Sequence, residues 1–224
     1  MENVIERLLQ ILLTLPAILL SLSVHELCHG YAAHCLGDPT PKAYGRLSLN
    51  PLKHIDPFGF IALLLFRVGW AKPVMVDSRY FKNAKRDMAF TALAGPASNF
   101  LLAFIFSFVS VFLSRIGTMF SLGSATGISP FEVFYMIVYF MVPINLGLGV
   151  FNLIPIPPLD GSKILYAFLP NQVIYKILPY ENIIRLVLIF LLWLGFLGTP
   201  IALTVDFIES LFMKLAQGVF LYGI

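Results

Sequence analysis

The sequence predicts an all-α membrane protein with about four transmembrane helices, chiefly because of its composition. Hydrophobic residues make up 58% of the 224 residues, whereas charged residues make up only 12%. Soluble domains carry about twice that charged fraction, so the chain is expected to lie in a lipid bilayer. The mean hydropathy of +0.86 agrees. The net charge of +3 is scattered and gives no sign of nucleic-acid binding, and with no linker or repeat we expect a single domain over residues 1–224.

Four apolar segments are long enough to cross a bilayer as helices, which takes about 20 residues each. They are residues 5–35, 88–113, 131–153 and 183–199. Residues 58–66 are apolar but too short to cross, so we expect a re-entrant or interfacial segment there. Residues 70–76 alternate loosely and contain a proline, which is typical of an extended edge segment. An interfacial loop anchored by Trp70 explains the same residues, and the sequence leaves both possibilities open.

The C-terminal part of the chain is predicted to form an interfacial helix. After Pro200, apolar residues recur at helical spacing, but Asp206, Glu209 and Lys214 interrupt them. This amphipathic pattern favours a helix that lies in the membrane surface over a fifth crossing of the bilayer.

The distribution of lysine and arginine predicts which connections between spans face the cytoplasm. The first connection carries nine of these residues: Lys42, Arg46, Lys53, Arg67, Lys72, Arg79, Lys82, Lys85 and Arg86. The second carries Arg115, and the third carries Lys163, Lys176 and Arg185. Positively charged connections tend to stay inside the cell. We therefore expect a multi-pass protein of the cell membrane, with residues 37–87 and 154–182 in the cytoplasm and both termini outside.

A metal-binding pattern lies inside the first predicted span. His25, Glu26 and His29 form the sequence H-E-x-x-H, in which residues i and i+4 share one helix face. Both imidazoles can therefore reach one metal ion. Glu26 lies about 100° round the helix, where it can accept a proton from water at the metal without being a ligand. Capping or otherwise satisfied histidines are the alternative, but ionisable groups at membrane depth are costly and usually functional.

A third ligand is expected, because catalytic zinc sites use three protein ligands and keep one position open. The candidate is Asp160, which follows a proline-rich stretch on the same predicted side of the membrane as His25 and His29. Gly161 permits a tight turn beside it. Asp160 could instead be the N-cap of a helix over residues 161–169, since Pro-Asp-Gly sequences commonly mark turns. The two histidines on the same side favour ligation.

These patterns, together with others along the chain, resemble the site-2 protease family of intramembrane zinc metalloproteases (peptidase family M50) in its compact prokaryotic form. The matching stretches fall within residues 21–170 in the family's order. They are residues 25–30, 45–57, 69–74, 94–99, 151–155 and 158–161. The departures are small: Ser162 stands where many relatives have a second glycine, and Cys28 is an uncommon residue inside the metal motif.

The resemblance implies a zinc metalloendopeptidase with one Zn²⁺ per chain, held by His25, His29 and Asp160, and with Glu26 as the catalytic glutamate. It also implies membrane-protein substrates that are cut in or near a transmembrane segment. The sequence does not indicate an oligomeric state. A zinc transporter or channel is disfavoured because the metal candidates gather on one side of the membrane. A catalytically silent scaffold is disfavoured because Glu26 is intact.

Four further polar residues are candidates for contacts with the substrate or with the metal ligands. Asn99, Asn145 and Asn152 are amides on predicted spans and could line a wet cavity, although hydrogen bonding between helices is the alternative. Asn152 is also a candidate to hold the substrate backbone. His54 resembles a recurring family position, where it could support the site or stabilise an oxyanion. A hydrogen bond within its own loop fits His54 equally well.

Overall fold

The computed structural model of the protein describes residues 4–66, 69, 71–120 and 129–222, and its architecture is helical. The described residues form α1 (Val4–Cys35), α2 (Thr40–Ala43), α3 (Pro57–Phe66), α4 (Ala84–Phe120), α5 (Pro130–Asn152), α6 (Asp160–Tyr166), α7 (Asn171–Ile177), α8 (Glu181–Trp193) and α9 (Gly198–Tyr222). No strand is found within these ranges, where one antiparallel bridge joins Ile55 to Ala71. The predicted all-α class is confirmed.

Three of the predicted spans are confirmed as single helices that are long and apolar enough to cross a membrane. The qualifying segments are Ile11–Cys35 of α1, Ala84–Gly117 of α4 and Pro130–Asn152 of α5. Helix α5 begins at a capping box, in which the Ser129 hydroxyl accepts a hydrogen bond from the Glu132 backbone and the Glu132 carboxylate accepts one from the Ser129 backbone. These bonds fix the start of the third span.

Helices α4 and α5 form the centre of the bundle, and α1 and α9 pack against them. The interior cluster consists of Ala103 from α4, Val142 and Leu146 from α5, and Val205 from α9. Lipid tails are as apolar as these side chains, so helices in a bilayer associate through close packing and hydrogen bonds rather than through escape from water. A tight fit of small and branched side chains therefore holds α9 in place.

The fourth predicted span, residues 183–199, is divided between two helices in the structure. Helix α8 has 13 residues and is about 20 Å long, which is less than the roughly 30 Å thickness of the hydrocarbon layer. The chain then turns at Gly195, whose φ of +78° suits glycine. The segments before and after the turn are bent by 74° relative to each other, a geometry that suits either one broken span or a re-entrant loop.

The helix expected after Pro200 is present as α9, which packs one face against α4 and α5. The rings of Phe212 and Phe104 are 5.2 Å apart, and Arg115 Nη1 donates a hydrogen bond to the Phe220 carbonyl at 2.9 Å. Its 25 residues extend about 37 Å, and it qualifies as membrane-spanning only in combination with the segment before the turn. The same apolar stripe that suits a membrane surface also suits a neighbouring helix, and periodicity alone does not separate the two.

The short membrane-associated region agrees with its expected dimensions. Helix α3 has 10 residues and is too short to cross. Residues 71–77 form neither a helix nor a strand. Their backbone is attached to the preceding loop by the bridge at Ala71 and by a hydrogen bond from Lys72 N to the His54 carbonyl at 2.8 Å. The proposed anchor Trp70 lies outside the described residues.

The packing of Val205 against α4 and α5 predicts a contrast between two substitutions on α9. Val205→Trp should lower the thermal stability of the detergent-solubilised protein, because overpacking a close-packed site costs about 1–3 kcal/mol. Leu203→Trp, on the exposed face two residues away, should change stability by less than about 0.5 kcal/mol. Thermal unfolding of both variants measures the contrast. Equal stability of the two variants would contradict the packing of this face of α9 against α4 and α5.

Candidate metal centre

Helix α1 brings His25 and His29 onto one buried face, as the i, i+4 spacing predicts. Their Nε2 atoms are 2.9 Å apart, and their ring planes are nearly perpendicular at a centroid distance of 4.5 Å. Only 4% of His25 and 8% of His29 is exposed. The two imidazoles are therefore held in the interior with their Nε2 atoms adjacent and their ring planes crossed.

Asp160 reaches the same point from the first turn of α6. Its Oδ2 lies 3.2 Å from His25 Nε2 and 3.0 Å from His29 Nε2, while its Oδ1 accepts a hydrogen bond from Lys163 Nζ at 3.4 Å. Burial disfavours the charged form of the Asp160 carboxyl, and the neighbouring Lys163 ammonium favours it. The N-cap of α6 is Leu159, so the alternative in which Asp160 caps the helix is wrong.

Gly161 allows Asp160 to approach the histidines. A Cβ atom at this position would overlap the Leu153 carbonyl oxygen and would lie 2.5 Å from that of Ile154. Only glycine fits against the backbone of the turn that follows α5. The tight turn expected from the sequence is present, and in it the backbone of Gly161 packs directly against the carbonyl groups of Leu153 and Ile154.

A chain of hydrogen bonds behind His25 fixes the position of its proton. Asn145 Nδ2 donates to the Met141 carbonyl at 2.7 Å, which turns the Asn145 amide oxygen towards Asn99. Asn99 Nδ2 donates to that oxygen at 2.9 Å, so Asn99 Oδ1 faces His25 Nδ1 at 2.5 Å. An amide oxygen only accepts hydrogen bonds, so His25 Nδ1 carries the proton. The orientations of both amides follow from the Met141 carbonyl, because a backbone carbonyl can only accept a hydrogen bond.

His29 is oriented in the same way by the backbone of α4. Its Nδ1 lies 2.7 Å from the Thr91 carbonyl oxygen, and must therefore donate to it. Neutral rings that donate through Nδ1 leave Nε2 unprotonated. Two nitrogen lone pairs and a carboxylate oxygen thus converge, and this arrangement is stable only with a shared proton or a metal cation among them.

The space beside these atoms is suited to a metal ion. Gly95 of α4 lies so close that a Cβ atom there would overlap His29 Nε2 and would be 2.7 Å from His25 Cε1. The missing side chain lets both rings pack directly against α4. Tetrahedral zinc with Zn–N distances of about 2.0–2.1 Å separates its ligands by about 3.3 Å. The ligand atoms of His25, His29 and Asp160 lie within 4.8 Å of one another, and their closest pairs are near that separation.

Glu26 lies beside this group without joining it. Its Oε2 accepts a hydrogen bond from the Val74 backbone at 2.8 Å, and 9% of the residue is exposed. The carboxylate is therefore held between α1 and residues 71–77. This position agrees with a glutamate that acts on protons rather than as a ligand.

The other four candidate residues fall into two groups. Asn99 and Asn145 are fully buried and join α1, α4 and α5 behind His25, as the hydrogen-bonding alternative expects. Asn152 Nδ2 donates to the Leu148 carbonyl on its own helix at 3.0 Å, and His54 Nε2 bonds the Ser48 carbonyl at 2.7 Å. Neither Asn152 nor His54 is among the three ligating candidates.

The sequence did not single out three backbone contributions to the site. They are the Thr91 carbonyl, the Val74 amide and the missing side chain of Gly95. The first two have no signature in the sequence, because every residue carries the same backbone groups. Gly95 lies within residues 94–99, one of the stretches that resemble the family. The sequence therefore indicated the position but not its contact with the two histidines.

The hydrogen-bond chain predicts that Asn99 controls zinc affinity. Asn99→Ala leaves the His25 Nδ1 proton without a partner and frees the ring to rotate, so zinc affinity should fall about 10–100-fold. Asn145→Ala should cause a smaller loss, and Asn152→Ala none, because Asn152 bonds only its own helix. Competition with a chromogenic chelator measures all three. Equal affinities for the Asn99 and Asn152 variants would contradict the assigned role.

Comparison with known proteins agrees with this geometry. The model of peptidase family M50 matches residues 13–134 and 113–195. YwhC of Bacillus subtilis, a predicted zinc metalloprotease, is 39% identical over 165 residues, which cover 74% of this chain and 73% of YwhC. Rip2 of Mycolicibacterium smegmatis, of the same predicted class, is 27% identical over 176 residues, which cover 76% of this chain and 62% of Rip2. No solved structure matches the chain.

A third relative, MJ0611 of Methanocaldococcus jannaschii, is also a predicted zinc metalloprotease and is 34% identical over 107 residues, or 48% of each chain. The matched region thus spans less than two thirds of Rip2 and of MJ0611, but most of YwhC. The family model covers the segment that carries both histidines and Asp160. On these grounds the protein belongs to peptidase family M50 and is a zinc metalloprotease.

Proposed function

We propose that this protease cuts membrane proteins in or near their transmembrane segments, with His25, His29 and Asp160 as the zinc ligands and Glu26 as the general base. The observation that carries the proposal is the convergence of two Nε2 atoms and a carboxylate oxygen at 2.9–3.2 Å, with both rings donating through Nδ1. His25 and His29 come from α1, and Asp160 comes from the start of α6, shortly after α5. Both α1 and α5 are long and apolar enough to span a membrane. A site built there suits a substrate that also lies in the bilayer.

Zinc, when bound, supplies a Lewis acid that polarises a peptide carbonyl and makes water more acidic. Glu26 then accepts a proton from the attacking water and delivers it to the leaving amine. The Val74 amide holds one oxygen of Glu26 at 2.8 Å, so the carboxylate keeps its orientation between the two proton transfers. The Nδ1 hydrogen bonds of His25 and His29 keep both rings from rotating.

A substrate helix must unwind before its peptide bonds can be attacked, since helical carbonyls are engaged within the helix. We propose that the unwound part lies along residues 71–76. This segment is not helical, it contacts Glu26 through Val74, and it already forms one bridge between Ala71 and Ile55. An exposed backbone edge of this kind can pair with an extended peptide.

We further propose that the site faces the cytoplasm and that both termini lie outside. The positively charged connections 37–87 and 154–182 support this orientation. His25 and His29 lie within the last three turns of α1, towards the first of these connections. Asp160 belongs to the second.

Replacement of Glu26 separates catalysis from metal binding. Glu26→Gln in purified protein should retain one zinc per chain and should cut a single-span test substrate at least about 100-fold more slowly, because the general base is lost. Asp206→Asn, which alters an exposed carboxylate on α9, should cut at the wild-type rate. Zinc content and gel-resolved cleavage are the two measurements. Loss of zinc in Glu26→Gln would instead make Glu26 a ligand.

The orientation can be tested with a cysteine at Arg79, whose side chain is 87% exposed within the first connection. In protein whose two native cysteines are replaced by alanine, Arg79→Cys should react with a membrane-impermeant maleimide only after the cells are permeabilised. Labelling in intact cells would reverse the proposed orientation of the protein.

A further inference from the structure

We propose that a cavity between α1 and α5 binds a large apolar side chain of the substrate, about three residues from the scissile bond, and that His54 accepts a hydrogen bond from the unwound substrate backbone there. This inference rests on the proposed function, because it identifies which substrates the site selects. Three features carry it: the lining of the cavity, its position relative to Glu26, and a buried nitrogen without a partner.

The cavity has a volume of about 380 Å³. Its walls are mostly apolar, with Ile18 and Leu22 on α1, Ile144 and Leu148 on α5, and Leu192 on α8. Ligand sites in proteins are typically about 300–1,000 Å³, largely apolar, and supplied with a few polar groups. A cavity of this size and character fits an aliphatic or aromatic side chain.

The cavity lies within reach of the proposed general base. Leu22 precedes Glu26 by one helical turn on α1, so both residues lie on the same side of that helix. Ala71 also lines the cavity, while Val74 donates its N–H to Glu26. Three residues of chain span at most about 11 Å. An extended peptide that is cut beside Glu26 therefore reaches the cavity with a residue about three positions away.

His54 lines the cavity and has one nitrogen left for a ligand. The residue is 2% exposed, and its Nε2 lies 2.7 Å from the Ser48 carbonyl, so Nε2 carries the proton of the neutral ring. Nδ1 is then an acceptor, and it is buried without a partner among the residues that the structure describes. In the interior of a helical substrate every backbone N–H is bonded within the helix, whereas an unwound segment has free N–H groups. A buried acceptor beside an apolar pocket thus suits an extended peptide.

The absence of a side chain at Gly147 keeps the α5 side of the cavity open. It lines the cavity, and no atom lies within 4 Å of the position that its Cβ would take. A larger side chain at this position would therefore enter the cavity instead of colliding with the protein. Gly218 of α9 has equally open surroundings but is not among the lining residues, which makes it a matched control.

The test uses zinc-loaded wild-type, Gly147→Leu and Gly218→Leu proteins in detergent with a single-span test substrate whose cleavage point is mapped by mass spectrometry. Each of the five positions on either side of the cut is changed in turn to Gly, Ala, Leu or Phe. For the wild type and Gly218→Leu we expect one position, about three from the cut, where Phe or Leu is cut at least about tenfold faster than Gly. Gly147→Leu should lose that preference and cut the Ala substrate faster than the Phe substrate.

Two results would overturn the pocket while leaving the proposed protease intact: cleavage with no apolar preference at any position, or the same preference in Gly147→Leu as in the wild type. If zinc-loaded wild-type protein cuts no substrate, the proposed function fails instead. A binding measurement tests the pocket separately. Photo-leucine at the third position from the mapped cut, in substrate bound to Glu26→Gln, should cross-link to residues that line the cavity on α1, α5 or α8. Cross-links confined to residues outside the cavity lining would also overturn the pocket.

The role of His54 is tested separately by replacing substrate amides with esters, one at a time, over the same window. An ester removes the substrate N–H that donates to His54 Nδ1, so at one position it should slow cleavage about two- to tenfold. This factor corresponds to the net free energy of a single neutral hydrogen bond. The same ester should have no effect in His54→Phe, which removes the acceptor. A uniform ester response in the wild type would rule out this contact.

Discussion

The metal centre depends on a hydrogen-bond chain that begins at a backbone carbonyl. Met141 O accepts from Asn145, Asn145 accepts from Asn99, and Asn99 accepts from His25. Because a carbonyl cannot donate, each bond in the chain has only one possible direction. The same chain joins α5, α4 and α1. The packing of these three helices therefore also determines which nitrogen of His25 carries the proton. In a bilayer, where helices gain little from burying apolar surface, such bonds also help to hold the helices together.

The helix that supplies the histidines is easy to predict, whereas the environment that makes them useful is not. The i, i+4 spacing of His25 and His29 fixes their common face, and the lysine and arginine distribution predicts that Asp160 lies on the same side of the membrane. The closeness of Gly95 depends on how α4 packs against α1, which no local pattern encodes. Asn99 and Asn145 were recognised as polar residues on spans, but the direction of their hydrogen bonds required their actual neighbours.

The C-terminal region shows a similar limit. Charges at Asp206, Glu209 and Lys214 depress the hydropathy of α9, so a composition-based reading places it at the membrane surface. In the structure Val205 and its apolar neighbours pack onto α4 and α5, while Asp206 faces outwards, and no local pattern predicts which helices α9 contacts. Conversely, the predicted fourth span contains the turn at Gly195, whose φ of +78° interrupts an otherwise apolar run. Glycine in an apolar sequence is ambiguous, because it is common within membrane helices as well as at their ends.

The contact between Lys163 and Asp160 has a consequence for the selectivity of the site among cations. With Oδ1 of Asp160 bound to an ammonium group, only Oδ2 is directed at the histidines, so the carboxylate offers one oxygen instead of two. Calcium requires six to eight oxygen ligands and magnesium an octahedral shell, and neither is satisfied by one oxygen and two imidazoles. The lysine thus keeps the ligand number low and favours a small, nitrogen-preferring transition metal over the more abundant hard ions of the cell.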